Sequence, residues 1–255
     1  MADDSVLRLA EDVGIEGTGR GLPFTPIFSF LLHLLPCTVR SLMRFRFTGL
    51  ERVNRRGPLI IAGNHTSHVD PVSKITAVRR PLRFLAKKEH FGLPGIRQVM
   101  TWTGQIETDR EAGASNALAR AVDILRCGSP MGLFPEGTRS RRREPPFLSR
   151  GKTGIARLAA TFPDMPVHPI AILGSRDMLA PGSSRFNPFT RITVHIGEAV
   201  TWRQWLLHPD GGGMDDAGIA AIIELDESEK RVAIGALYRS FTDQFIESIR
   251  ALGAP

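Results

Sequence analysis

One short run concentrates the reactive side chains of this chain: Asn64-His65-Thr66-Ser67-His68-Val69-Asp70. A histidine beside a carboxylate is a minimal general base. The carboxylate accepts the Nδ1 proton and fixes the tautomer, which leaves Nε2 free to take a proton from a substrate hydroxyl. The spacing limits how this can be built. Five residues along a regular helix turn through about 500°, so His65 and Asp70 would face about 140° apart. They meet only if His65 sits on a turn before a helix and Asp70 reaches back to it. The attacking oxygen would then come from the substrate, and no serine nucleophile is needed. Two other readings stand beside this one. Ser67 and Asp70 have capping-box spacing, in which Asp70 only closes a helix end. His68, two residues from Asp70, is a rival base. His68-Val69-Asp70 also imitates part of the His-x-His-x-Asp-His run of metallo-hydrolases. Thr66 and Pro71 occupy the flanking histidine positions, however, and zinc needs three or four protein ligands, so no metal is expected.

A second cluster is Phe134-Pro135-Glu136-Gly137-Thr138-Arg139-Ser140. Gly137 permits close backbone approach, and Arg139 offers a planar fork matched to phosphate. Glu136 could orient that arginine or hold a substrate hydroxyl. The blander reading is a polar turn, and for Arg141 to Arg143 a solvated arginine run is favoured. Two lookalikes fail. Gly151-Lys152-Thr153 would complete a phosphate-binding loop only with glycine at 146, which is Pro146; Gly17-Thr18-Gly19 would need glycine at 22, which is Leu22. There is no Gly-x-Ser-x-Gly elbow either.

Both clusters follow apolar runs that read as buried strands, 58–62 and 131–134, and open α/β sheets place ligand sites at such strand ends. Further strands are read at 45–48, 82–85, 167–173 and 191–196, with helices at 70–78, 95–102, 112–125 and 154–160. Alternating strands and helices predict an α/β fold with a mixed central sheet and flanking helices. Gly211-Gly212-Gly213 reads as the start of a flexible stretch, and 227–252 as a long helix whose stripe runs through Val232, Leu237, Phe241, Phe245 and Ile249.

The charge distribution says what the middle of the chain attracts. Between Arg40 and Lys152 there are 22 basic and 9 acidic residues, while the whole chain of 255 residues carries only +7. A cationic centre suits phosphates on nucleic acid, a membrane or a small substrate. Nucleic acid is the weakest of these, because the arginine run lacks interleaved aromatics for stacking. Cys37 and Cys127 are too few for a disulfide framework and point to a reducing compartment. The acidic N-terminus, Met1-Ala2-Asp3-Asp4, does not resemble a secretory signal. Residues 21–39 carry no Asp, Glu, Lys or Arg, and Arg40, Arg44 and Arg46 follow. Pro23, Pro26, Pro36 and His33 argue against a span. The segment reads as a membrane-associating helix or hairpin in the cytoplasmic interface, with a buried core helix as the alternative. The expected organisation is an acidic tail and interfacial segment over 1–44, a catalytic domain over 45–200, and a C-terminal loop and helix over 201–255 packing on the same domain.

These blocks resemble the glycerolipid acyltransferases of the 1-acyl-glycerol-3-phosphate acyltransferase type. Asn64-His65-x-Ser67-x-x-Asp70 resembles the family's first block, Gly104 to Arg110 its second, Phe134 to Ser140 its third and Pro166 to Ile172 its fourth. The resemblance implies His65 as general base and Asp70 as its orienting partner. It also implies Asn64, Ser67, Arg110, Glu136, Gly137, Thr138 and Arg139 as substrate-binding residues. The implied reaction moves an acyl group from acyl-CoA or acyl-carrier protein, as co-substrate, to a lysophospholipid acceptor without an acyl-enzyme. The product would be phosphatidic acid, made at the cytoplasmic face of an anionic membrane, with no resident cofactor. Other acceptors, such as glycerol 3-phosphate, and a non-enzymatic phosphate- and membrane-binding module remain as alternatives.

Overall fold

The computed structural model describes residues 2–42, 44–92, 95–108, 113–183 and 185–255. In chain order its elements are α1 (Ala2–Val13), α2 (Pro26–Leu42), β1 (Phe45–Thr48), β2 (Ile60–Gly63), α3 (Asp70–Val78), β3 (Leu85–Lys87), α4 (Lys88–Phe91), α5 (Ile96–Trp102), β4 (Ile106–Thr108), α6 (Gly113–Arg126), β5 (Met131–Leu133), α7 (Gly154–Thr161), β6 (Val167–Leu173), α8 (Ser175–Met178), β7 (Ile192–Ile196), α9 (Trp202–Leu207), α10 (Asp216–Glu224) and α11 (Glu227–Ala251). Five strands form one sheet in the order β1-β7-β6-β2-β5, and β3 pairs with β4. All pairings are parallel except β6 with β7. The sheet is therefore mixed. A bridge between Arg83 and Met131 connects the approach to β3 with β5.

Alternation along the central strands produces two cores. Ile60, Ala62, Val167 and Ala171 face a layer made by α1, α6, α7, α9, α10 and α11. Leu59, Ile61, Ile170 and Ile172 face the opposite layer, which contains Phe28 and Leu32 of α2 and Ile75 and Val78 of α3. Strands buried on both faces need apolar residues at successive positions rather than at every second one, and the uninterrupted runs at 59–62 and 170–172 meet that need.

Four features depart from the expectations. The acidic first residues are no tail: Val6 and Leu9 of α1 are buried in the larger core, and α1 packs on α10 and α7. The Ser5 hydroxyl donates to Asp216 at 2.8 Å, and Lys230 pairs with Asp12 at 2.8 Å. The glycine triplet is a fixed turn rather than a flexible stretch, because Gly211 and Gly213 donate to the His208 carbonyl and Gly212 donates to that of Trp205. Val232 is 72% exposed; Ile234, Leu237, Tyr238, Phe241, Phe245 and Ile249 carry the packed face of α11. The strand expected at 82–85 is found at Leu85–Lys87, and Arg83 instead makes a single bridge to Met131, its backbone bonded to that of Pro130 and Gly132.

Arg83 is buried and directs the chain toward α2. Its guanidinium donates to the Gly104 carbonyl at 2.7 Å, the Pro23 carbonyl at 3.1 Å and the Thr25 hydroxyl at 3.3 Å. Upstream, Asp123 accepts the Gly19 N–H at 3.1 Å and an Arg120 N–H at 2.6 Å. From these ties α2 runs over α3 and α5. Phe28 and Leu32 face inward, while Phe24 is 92% and Phe30 68% exposed, with Ile27 and Leu34 beside them. Val99 and Trp102 of α5 are exposed as well. Among the described residues, no helix is long and apolar enough to cross a membrane.

Candidate active site

His65 lies on the turn between β2 and α3, and Asp70 opens α3. The Asp70 carboxylate reaches back to the turn. Its Oδ2 accepts the backbone N–H groups of Thr66 and Ser67, each at 2.7 Å, and lies 2.9 Å from His65 Nδ1. An ionised carboxylate only accepts, so Nδ1 carries the proton and Nε2 is the available base. Asp70 Oδ1 is buried and takes no hydrogen bond among the described residues. The capping-box reading is half met. Asp70 accepts the Ser67 N–H, but the Ser67 hydroxyl donates to the Leu179 carbonyl at 2.6 Å and the helix begins at Asp70.

The second cluster grips the same turn. Glu136 Oε1 accepts the His65 N–H at 2.8 Å, its Oε2 accepts the Ser149 N–H at 2.8 Å, and the Ser140 N–H donates to the His65 carbonyl at 2.9 Å. Both backbone polar groups of His65 are therefore held by the 134–140 loop. The His65 ring stacks on Phe134 with centroids 3.8 Å apart, and Phe134 stacks in turn on Phe84. Phe84 reaches that position by lying over Gly132, where a Cβ would come within 2.1 Å of its ring. Gly137 has φ 73°. A side chain there would be strained, and a Cβ would meet the Lys152 side chain at 3.0 Å.

Electrostatics favour an unprotonated base. Burial pushes His65 below its ordinary value of 6.5; the hydrogen bond and charge of Asp70 oppose this, while Lys74 and Arg139 reinforce it. Lys74 lies one turn beyond Asp70 and is fully buried. Its Nζ donates to the Leu133 carbonyl at 2.6 Å and sits 3.6 Å from the Phe134 ring centre. Burial pushes this amine down to about 7, against the attraction of Asp70 and Glu136. Burial also raises the Glu136 carboxyl, although the N–H groups of His65 and Ser149 hold it back.

His65 opens on a cavity of about 1300 Å³. Its interior is apolar, with Phe28, Ile75, Phe84, Leu118 and Met131 among the lining residues, while Arg139, Lys152 and Arg176 bring positive charge. Gly137, Thr138 and Arg139 line it, and the Arg139 guanidinium lies against the His68 imidazole. Three residues expected to bind substrate instead hold the scaffold. Asn64 exchanges hydrogen bonds with the backbone of Ile172 across the sheet, Ser67 is used by Leu179, and Glu136 by two backbone N–H groups. All three are buried. Arg110 lies outside the described residues. Sequence reasoning missed Lys74, whose position on α3 resembles that of any surface lysine. It also missed Lys152, visible only as part of a failed nucleotide motif. Among the described residues, no group of three or more His, Cys, Asp or Glu could hold a metal ion.

Parts of this chain are similar to known proteins. The 1-acyl-sn-glycerol-3-phosphate acyltransferase of Borreliella burgdorferi is 33% identical over 123 residues, 45% of this chain and 49% of that protein. The protein of the same name from Salmonella typhimurium is 34% identical over 116 residues, 44% of this chain and 46% of its own length. The chain thus spans about half the length of the curated relatives it matches. The crystal structure of the 1-acyl-sn-glycerophosphate (LPA) acyltransferase of Thermotoga maritima shares the fold, with a TM-score of 0.58 at 20% identity over 88% of this chain and 81% of that one. The sequence profile described as Acyltransferase matches residues 44–173, so the chain belongs to the acyltransferase family.

Proposed function

We propose that this chain is an O-acyltransferase that moves a fatty acyl group from a thioester, acyl-CoA or acyl-carrier protein, to the free hydroxyl of 1-acyl-glycerol 3-phosphate, giving phosphatidic acid. The observation that carries the reading is a histidine–aspartate pair opening on one cavity that is apolar inside and also lined by cations. An acyl chain needs the first property and a phosphate-bearing acceptor the second. The named relatives act on the same acceptor class.

In this reading His65 Nε2 takes the acceptor's hydroxyl proton as the oxygen attacks the thioester carbonyl. The C–O bond forms, the tetrahedral adduct collapses, and the C–S bond breaks. His65 returns its proton to the departing thiolate, so the base is regenerated within one turnover. Asp70 holds the tautomer and stabilises the imidazolium. Phe134 and the two backbone bonds to His65 keep the ring aligned. Arg139 holds the acceptor phosphate, with Arg110 assigned to the same task by resemblance.

The exposed apolar face of α2 and its neighbours Val99 and Trp102 fit a membrane surface from which a lipid acceptor enters. Arg44 and Arg46, exposed just beyond α2, suit anionic headgroups. The deciding experiment is an acceptor panel with labelled acyl-CoA. Lysophosphatidic acid should be acylated fastest. Faster turnover of glycerol 3-phosphate would move the assignment to that acceptor, and no acylation of any acceptor would leave the phosphate- and membrane-binding module.

A further inference from the structure

Lys74 is fully buried, yet it does not line the large cavity, and among the described residues no carboxylate is within ion-pair distance of it. Packing does not require an amine there, since methionine would fill a similar volume without burying a charge. What the amine touches is the support of the base. Its Nζ donates to the Leu133 carbonyl at 2.6 Å and lies 3.6 Å from the centre of the Phe134 ring. The His65 imidazole lies 3.8 Å from the same centre and is inclined to the ring by only 14°. Two groups at that range cannot share one face of a benzene ring, so Phe134 is sandwiched between His65 and Lys74. Asp70 and Lys74 are one turn apart on α3 and so project from the same side of it. One helix thus grips the base twice, with Asp70 at the edge of the imidazole and Lys74 behind its platform.

We propose that Lys74 is a positioning residue for His65: its ammonium group fixes the Phe134 platform and, across that ring, disfavours the protonated imidazole. The inference deepens the acyl-transfer reading above and rests on it. The negative faces of an aromatic ring attract cations. With Lys74 on one face, an imidazolium on the other competes for the same ring and meets a like charge. His65 is thereby kept ready to accept the hydroxyl proton, and it passes that proton more readily to the departing thiolate. The other charges around the pair are Asp70 on α3, and Glu136 and Arg139 on the loop after β5, with His68 against Arg139. Asp70 favours the imidazolium, whereas Arg139 acts with Lys74. The other elements packed on α3, α2 and β7, share its apolar core through Phe28, Leu32, Ile192 and Val194.

The test compares Lys74→Gln, which keeps a donor for the Leu133 carbonyl, with Lys74→Met, which does not. In both, loss of the charge should move the acid limb of the acyl-transfer rate upward by about one pH unit, with the KM for both substrates fixed. On the alkaline plateau Lys74→Gln should stay within about threefold of the unaltered protein, and Lys74→Met should fall about tenfold because the platform is less well held. An unmoved limb in both variants would make Lys74 a packing residue and overturn the proposal. A rise in either KM would overturn it too, by placing Lys74 in substrate binding. A second readout needs neither a Lys74 variant that folds nor a substrate. In the unaltered protein, the ring-carbon NMR signals of His65, assigned by their loss in His65→Ala, should show their own titration. They should also show a second inflection at about 7, where burial brings the Lys74 amine. A single inflection would overturn the proposal. If no acceptor is acylated, acyl transfer fails by itself, while this titration still decides whether Lys74 acts on His65.

Discussion

The floor and the roof of the large cavity are built in opposite ways. On the floor, the His65 turn is tied many times over: its backbone N–H and carbonyl to Glu136 and Ser140, its ring to Asp70 and Phe134, and Asp70 to two further N–H groups. On the roof, α2 buries Phe28 and Leu32 but turns Phe30 outward, with the exposed Phe24 just ahead of the helix, and the chain leading into it is held by the Arg83 and Asp123 bonds. Chemistry needs reacting groups held in one geometry. Admission of a lipid needs a surface that can meet the membrane. The fold assigns the first task to the sheet and the second to a helix laid across it.

The sharpest way to break this division is at the base. His65→Ala should lower acyl transfer by about 10²–10⁴-fold with little change in melting temperature. Asp70→Asn should lower both, because Asp70 also holds the turn. Since burial depresses the His65 pKa, the acid limb of the rate profile should lie below pH 6.5, where the protonated ring cannot accept a proton. A limb above 6.5 would point to another base, with His68 next in line.

A smaller effect separates binding from chemistry on the floor. Arg139→Gln should raise the KM for a phosphorylated acceptor by roughly 10–150-fold, the equivalent of a charge-assisted hydrogen bond. A neutral monoacylglycerol should be unaffected; equal losses for both would sink the phosphate assignment.

The roof should respond in membrane binding rather than rate. Phe24→Ser with Phe30→Ser should weaken partitioning onto anionic vesicles by about tenfold, given roughly 1.5–3 kcal/mol for each fully buried aromatic and only partial insertion. Melting temperature and turnover of a soluble short-chain acceptor should hold. In 1 M salt binding should weaken only in part, because the Debye length falls from about 10 Å at 0.1 M to about 3 Å while apolar burial is unscreened. Deleting residues 1–39 would not isolate the roof, since it also removes Val6 and Leu9 from the core.

The smallest expected effect concerns Lys74. Between about pH 7 and 10.5 the native amine is neutral while the unfolded one is charged. The unfolded chain therefore binds more protons, and stability should rise with pH over this window by on the order of 1 kcal/mol per pH unit. Thermal melts from pH 7 to 9.5 should show the rise, and Lys74→Met should flatten it. An equal rise in the variant would mean that Lys74 is not the titrating group.

How much of this is legible in the amino-acid sequence depends on range. The His65–Asp70 geometry is legible because helix periodicity leaves a five-residue pair one way to meet, and β6 because a doubly buried strand must be apolar throughout. The first helix is hidden by its acidic residues, which mark an exposed face, although Val6, Leu9 and Val13 share a helical stripe. Lys74 and Glu136 are opaque for a different reason. Nothing local tells a buried charge from a solvated one, because burial is decided by partners about 60 to 70 residues away.

The double grip of the 134–140 loop on His65 has a consequence for redesign. The two motifs are far apart in sequence but form one mechanical part: the base hangs by its own backbone from the loop that carries Arg139. Transplanting the histidine segment alone into another sheet would leave its N–H and carbonyl without their partners and its ring without a platform. A working graft must carry both segments, together with Ser149, which holds the second oxygen of Glu136. Substitutions in one segment should therefore be repaired most readily by changes in the other.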